Sequence, residues 1–253
     1  MARKARIKSE SGIYHIMLRG INKQDIFLDD EDYRKFLKTL NDCKKKSHFE
    51  LYAYCLMSNH IHLLLKENEN DISTIIKQIA CSYVYWFNRK YERVGHLFQD
   101  RFRSEPVDND EYFLTVLRYI HQNPVKAKIA AQCDDYLYSS YKLYYIDTVL
   151  IDKEFTFSII NKDYYREFHS MDTSDVCMDI PEVPTIINDV KAKNIFLELI
   201  QDTDEKVFSS ISPEKQIEIV KRMKSKGLSI PQIVKLTELK KSRVDKIIYL
   251  LHD

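Results

Sequence analysis

Short apolar blocks cover residues 13–19 (IYHIMLR), 51–56 and 60–66, each bounded by polar or turn-forming residues. Blocks of this length, rich in branched and aromatic side chains, predict strands. Between them the spacing of apolar positions turns helical. Asp29-Asp30-Glu31-Asp32 suits the positive end of a helix dipole. Tyr33, Phe36, Leu37 and Leu40 then keep to one face as far as about Lys46. Asp71 opens a second helix, with Ile72, Ile75, Ile76, Ile79, Tyr83, Trp86 and Phe87 on one side. Residues 98–107 predict a loop and a fourth strand containing Arg101 and Arg103. Asn109 caps a third helix running to about Gln122. Asn123-Pro124 should end it, because a residue before proline is pushed out of the α region.

The first six elements follow the split βαβ order of a ferredoxin-like domain: an α+β fold, one antiparallel sheet with helices on one face. The third helix is an addition. We expect this catalytic-type domain over residues 1–150. A helical extension follows over 151–212, with a linker near 171–190 marked by Pro181 and Pro184. Residues 213–253 form a separate all-α unit. One helical pattern runs from Pro213 to Lys224. Ile230 to Leu236 then precedes a turn, and Ser242 caps a basic stretch from Arg243 to Leu250. A short helix, a tight turn and a basic second helix follow helix-turn-helix logic, with Lys241, Arg243 and Lys246 near DNA phosphates. A small bundle for protein contacts is the alternative.

Composition narrows the class. The chain has 253 residues, 44% of them hydrophobic and 30% charged, which suits a globular protein with a sizeable core. No apolar run approaches the length of a membrane span, and the basic start lacks the apolar core of a secretory signal. Five cysteines without a CxxC pair argue against a zinc ribbon or disulfide framework and for a reducing cytoplasm. The net charge of +1 hides an uneven distribution: +6 over residues 1–104, −10 over 105–212 and +5 over 213–253. Two basic ends around an acidic middle suit two anion-binding surfaces.

The chemistry centres on Met57-Ser58-Asn59-His60-Ile61-His62. On a strand, positions i and i+2 share a face, so His60 and His62 project together, a good half of a divalent-metal site. Alone, an HxH pair is weak evidence. A second component lies in Tyr119-Ile120-His121-Gln122-Asn123-Pro124, where Tyr119 and Asn123 are one helical turn apart. An amide oxygen is a reasonable third ligand beside two imidazoles for Mg²⁺ or Mn²⁺; zinc would want a fourth His or Cys. A metal on His60, His62 and Asn123 would polarise a scissile phosphate for attack by Tyr119, leaving a covalent phosphotyrosine. Arg101 and Arg103 alternate on the fourth strand and would share a DNA-facing side.

At these residues the chain resembles the HUH single-tyrosine transposases of the insertion-sequence-200-like group, and within it the REP-associated tyrosine transposases. The resemblance covers roughly residues 8–145. It is carried by Gly12-Ile13-Tyr14-His15-Ile16 with Arg19-Gly20, by Met57 to His62, by Leu97-Phe98-Gln99-Asp100-Arg101-Phe102-Arg103-Ser104, by Tyr119 to Ala127, and by Tyr138-Ser139-Ser140-Tyr141. It implies metal on His60 and His62, Tyr119 as nucleophile, and cleavage of single-stranded DNA beside a hairpin, leaving a 5′-phosphotyrosine and a free 3′-OH. Asn123, where insertion-sequence relatives usually carry Gln, points to the REP-associated branch. The expected partners are hairpin-bearing single strands and flanking duplex; the protein would be a monomer or homodimer and would not associate with membranes. Two other readings compete: a DNA-binding regulator that no longer cuts, and a replication or conjugation nickase. The nickase usually carries a helicase or primase domain, and this chain has no GxxxxGK[ST] motif.

Overall fold

The computed structural model describes residues 6–171, 177–178, 187, 189–201 and 205–249, with 205–207 and 249 in backbone only. Contacts divide the chain into two compact units. One comprises Met1–Ile21 and Ile26–Pro181; the other comprises Asn22–Asp25 and Glu182–Asp253. The predicted linker lies mostly outside the described residues.

In the first unit, β1 (Ile13–Arg19), α1 (Asp30–Ser47), β2 (Glu50–Leu56), β3 (His60–Lys66), α2 (Ile72–Lys90), β4 (Arg103–Pro106) and α3 (Asp110–Lys126) follow in order. The strands form one antiparallel sheet in the order β2-β3-β1-β4, the ferredoxin-like arrangement read from the sequence. Its central strands are buried along nearly their whole length because both faces are covered. Directly opposed residues of antiparallel strands share a face. The pairs Arg19–His60, Met17–His62, His15–Leu64, Met17–Arg103 and His15–Glu105 therefore put these eight residues on one side. Helix α3 packs over β2 and β3. Leu18, on the other side, borders α2.

Local chemistry sets the helix ends. Asp29 accepts from Glu31 N and Asp32 N, and Asp32 returns the bond to Asp29 N, a reciprocal cap. The Lys90 ammonium at the end of α2 lies 2.8 Å from Asp29 and 2.9 Å from Glu31 and Asp32, which ties the two helices together. Asp32 is fully buried, so this cation balances a charge that water cannot reach.

Three expectations need correction. First, α3 does not stop at Asn123. Ala127 N–H donates to Asn123 O at 3.0 Å, and Pro124 sits inside the last turn, where it forfeits a single backbone bond. Burial of Tyr119, Ile120, Asn123 and Pro124 offsets that loss. Second, β4 spans only Arg103–Pro106, and Arg101 lies in a bend before it. The backbone there instead follows the end of β1 through Gln99 N–H to Arg19 O, and Asp100 takes a left-handed φ of 52°. Arg101 and Arg103 do not alternate on one strand. Third, Ser242 lies inside its helix rather than capping it.

Beyond α3, residues 138–140 run along β2, with Leu56 N–H on Tyr138 O and Ser140 N–H on Tyr54 O. Helices α4 (Glu154–Ile159) and α5 (Tyr165–Ser170) follow, and their aromatic residues join the first unit's core.

The second unit contains α6 (Asp189–Ile200), α7 (Pro213–Ser225), α8 (Ile230–Thr237) and α9 (Lys241–Tyr249). Its core joins Ala192, Phe196 and Ile200 to Val220, Met223, Ile233 and Val244. Ser229 and Gln232 cap α8 reciprocally, and Glu238 ends it at a left-handed φ of 55°.

Candidate active site

Residues 119 and 123, one turn apart on α3, meet the histidine-bearing face of the sheet. His60 Nε2 lies 3.4 Å from Asn123 Oδ1, and His62 Nε2 lies 3.5 Å from Asn123 Nδ2. Both imidazoles thus aim the same nitrogen at one amide. Each is held from behind. His60 Nδ1 is 2.6 Å from Asn59 Oδ1, an acceptor that places the proton on Nδ1. His62 Nδ1 is 2.9 Å from His15 Nε2, and the two rings stack at 5.2 Å. The Tyr119 ring meets His15 edge-on at 5.9 Å and His62 at 5.7 Å, with the Lys126 ammonium 5.0 Å from its centre.

The site is enclosed. His15 and His62 are fully buried, and Tyr119 is 3% exposed; only His60 among the four is half-buried. Burial, followed by the neighbouring His60 and His15, holds the His62 pKa well below the usual histidine value. A neutral imidazole is the metal-binding form. Among the described residues no group of three or more His, Cys, Asp or Glu side chains is placed to hold a metal ion. The donor set here is two imidazoles and one amide, with both Nε2 atoms turned inward, and it fits a divalent ion of the Mg²⁺ or Mn²⁺ type.

Two participants were not singled out as site residues in the sequence: His15 on β1 and Glu105 on β4. Glu105 Oε2 lies 3.8 Å from His15 Nδ1. The nearby His15, aided by Tyr112 and the Met178 backbone N–H, holds this carboxyl below the usual range. A period-two reading of β1 and β4 exposes each residue's face, but only strand register brings the two together.

The arginines part company. Arg103 is exposed on the histidine side of the sheet. Arg101 borders a groove of about 570 Å³ beside α2, with Arg6, Ile76, Val84 and Phe102 among its lining; there the Arg6 guanidinium lies 3.7 Å from the centre of the Phe102 ring. Lys241, Arg243 and Lys246 are exposed on α9 of the second unit, and Arg243 also reaches Gln216 Oε1 at 3.3 Å.

Behind α3 lies a second histidine pair. His121 Nδ1 is 2.9 Å from His169 Nε2, His121 Nε2 is 2.8 Å from Ser140 Oγ, and His169 Nδ1 is 2.9 Å from Tyr165 O.

Residues 8–123 match the family described as Transposase IS200 like. This segment, a little under half of the chain, is similar to the IS200-like transposase family. The match runs from before β1 to Asn123 and so includes His15, His60, His62, Glu105 and Tyr119. A Haemophilus influenzae protein that carries the name REP-associated tyrosine transposase is 31% identical over 105 residues, which cover 37% of this chain and 59% of that protein. The chain thus spans about three fifths of the length of that curated relative. Among solved structures, a REP-associated tyrosine transposase bound to a REP hairpin superposes with a TM-score of 0.50 at 17% identity, over 73% of this chain and 96% of that one. At that identity the likeness establishes the transposase fold. Among the described residues no helix is long and apolar enough to cross a membrane.

Proposed function

We propose that the chain is a metal-dependent, single-strand DNA endonuclease and strand transferase that acts beside hairpins in repeated sequences. One observation carries the reading: Tyr119 stands against a cluster in which His60 and His62 present Nε2 to the Asn123 amide. The relative solved with a REP hairpin lends support to the choice of DNA. A bound Mg²⁺ or Mn²⁺ would supply charge neutralisation at the scissile phosphate. The Tyr119 oxygen forms a bond to phosphorus as the P–O3′ bond breaks, and the proton lost by the phenol is matched by the one gained at the free 3′-OH. The downstream strand then stays on the enzyme as a 5′-phosphotyrosine. Arg101 and Arg103 would hold the strand, and Lys241, Arg243 and Lys246 would hold flanking duplex through a helix-turn-helix, the two contacts reinforcing each other by tethering. A reducing cytoplasm suits the five free cysteines.

The burial of Tyr119 favours a second reading, a regulator that binds the same DNA without cutting it. One experiment separates them. Wild type, Tyr119→Phe, His60→Ala and His62→Ala are incubated with a 3′-labelled hairpin oligonucleotide, with chelator and then with Mg²⁺ or Mn²⁺. Expected is a metal-dependent protein–DNA adduct on a denaturing gel for wild type alone, with Tyr119→Phe still shifting the hairpin on a native gel. An adduct from Tyr119→Phe removes that residue from the role. Binding without any adduct from wild type establishes the regulator.

A further inference from the structure

A metal-binding imidazole must offer a lone pair, and a neutral ring has only one. Which nitrogen offers it is decided by what the other nitrogen touches. His62 Nδ1 touches another histidine, His15 Nε2, at 2.9 Å, and both rings are fully buried. Such a pair has two self-consistent arrangements. In one, His62 Nδ1–H donates to His15 Nε2, and His62 Nε2 carries the lone pair toward Asn123. In the other, His15 Nε2–H donates to His62 Nδ1, and the proton on His62 Nε2 blocks it as a ligand. Nothing in the pair itself selects between them.

The selection comes from the far side of His15. The β1–β4 register sets Glu105 directly opposite His15, with its Oε2 3.8 Å from His15 Nδ1. A carboxylate repels a lone pair there and attracts an N–H. Glu105 is kept ionised by its own hydrogen bonds, including the Met178 N–H at 3.2 Å. The β1–β3 register continues the line, since Met17 opposes His62 and so makes His15 the diagonal neighbour of His62.

We propose that Glu105 and His15 are positioning residues whose relay across β4, β1 and β3 fixes the tautomer of His62 that binds metal. The inference rests on the reading of His62 as a ligand, and its test keeps the two apart. In metal-free protein labelled with ¹⁵N-histidine, long-range ¹H–¹⁵N spectra should show His62 Nδ1 protonated and Nε2 unprotonated. Glu105→Ala should move His62 toward the other tautomer and weaken Mn²⁺ binding, measured by titration calorimetry, by about 10-fold or more. Glu105→Gln, which keeps an acceptor oxygen for His15 Nδ1–H, should restore most of both. A proton on His62 Nε2 in wild type, or a tautomer and Mn²⁺ affinity unchanged by Glu105→Ala, would overturn the relay. Wild type that shows the expected tautomer but binds no Mn²⁺ or Mg²⁺ would overturn the metal reading and leave the relay standing.

Discussion

Acid should unfold the first unit through the histidine pair behind α3. Ser140 Oγ–H donates to His121 Nε2, His121 Nδ1–H to His169 Nε2, and His169 Nδ1–H to Tyr165 O, so each neutral ring uses both nitrogens. A proton added to His169 Nε2 would face the His121 N–H with no water between them. Burial accordingly pushes the His169 pKa down to about 3, and burial followed by His169 lowers that of His121 well below the usual value. In the unfolded chain both titrate near 6.5. The unfolded state therefore takes up protons first, and the contribution is complete above about pH 6.5 and lost as pH falls toward the folded value. For His169 alone the loss between pH 7.5 and pH 5 is about 2 kcal/mol, and His121 adds to it in the same direction. Against a domain stability of roughly 5–15 kcal/mol that is a large share. The assay is urea unfolding followed by the single tryptophan, Trp86, which lies on α2 of this unit. His169→Gln removes one titrating ring, so its stability should fall about 2 kcal/mol less than that of wild type over the same range. A variant with the wild-type pH slope, or a wild type equally stable at both pH values, would refute the reasoning.

Three further outcomes are expected. Lys90→Met keeps the stem but leaves buried Asp32 with the Tyr91 hydroxyl and the Leu28 and Asp29 N–H donors and without the Lys90 cation, and should cost about 1–3 kcal/mol in the same unfolding assay. Replacing Arg103 by Ala should weaken hairpin binding and lower the magnitude of its salt slope by about 1; an unchanged slope would place the phosphate track elsewhere. Removing residues 182–253 should spare cleavage of a short hairpin and weaken binding to one with a duplex flank. Removing only 213–253 should yield a stickier, less soluble product, because α6 would lose the core partners Val220, Met223 and Val244.

What was legible in the sequence is what depends on local period. His60 and His62 share a face by alternation, and Tyr119 and Asn123 share one by helical spacing; each pair needed only its own element. Their meeting was inferred from the chemistry the two pairs could share, and from the resemblance, rather than from any spacing that links them. The positions of His15 and Glu105 were not legible, because strand register, a property of pairing between distant segments, sets them opposite each other. Arg101 went astray for a related reason. Alternation over Arg101-Phe102-Arg103 looks like a strand, yet the backbone at 97–99 is taken up by the end of β1 and the ladder to β4 begins only at Arg103. Pro124 shows the opposite error, a sound local rule overridden by the burial of the helix it should have ended. His169 reaches His121 from α5, 48 residues away, and no spacing announces such a contact.

The five cysteines have a practical consequence. Cys43, Cys55, Cys133 and Cys177 are buried, whereas Cys81 is exposed on α2 and lines the groove that Arg6 and Arg101 border. Thiol reagents need access to sulfur, so the folded protein offers a single reactive thiol. A maleimide dye would mark one wall of that groove without any engineered residue. Its emission would respond to a strand settling beside Arg101 while remaining blind to events at the histidines on the opposite face of the sheet.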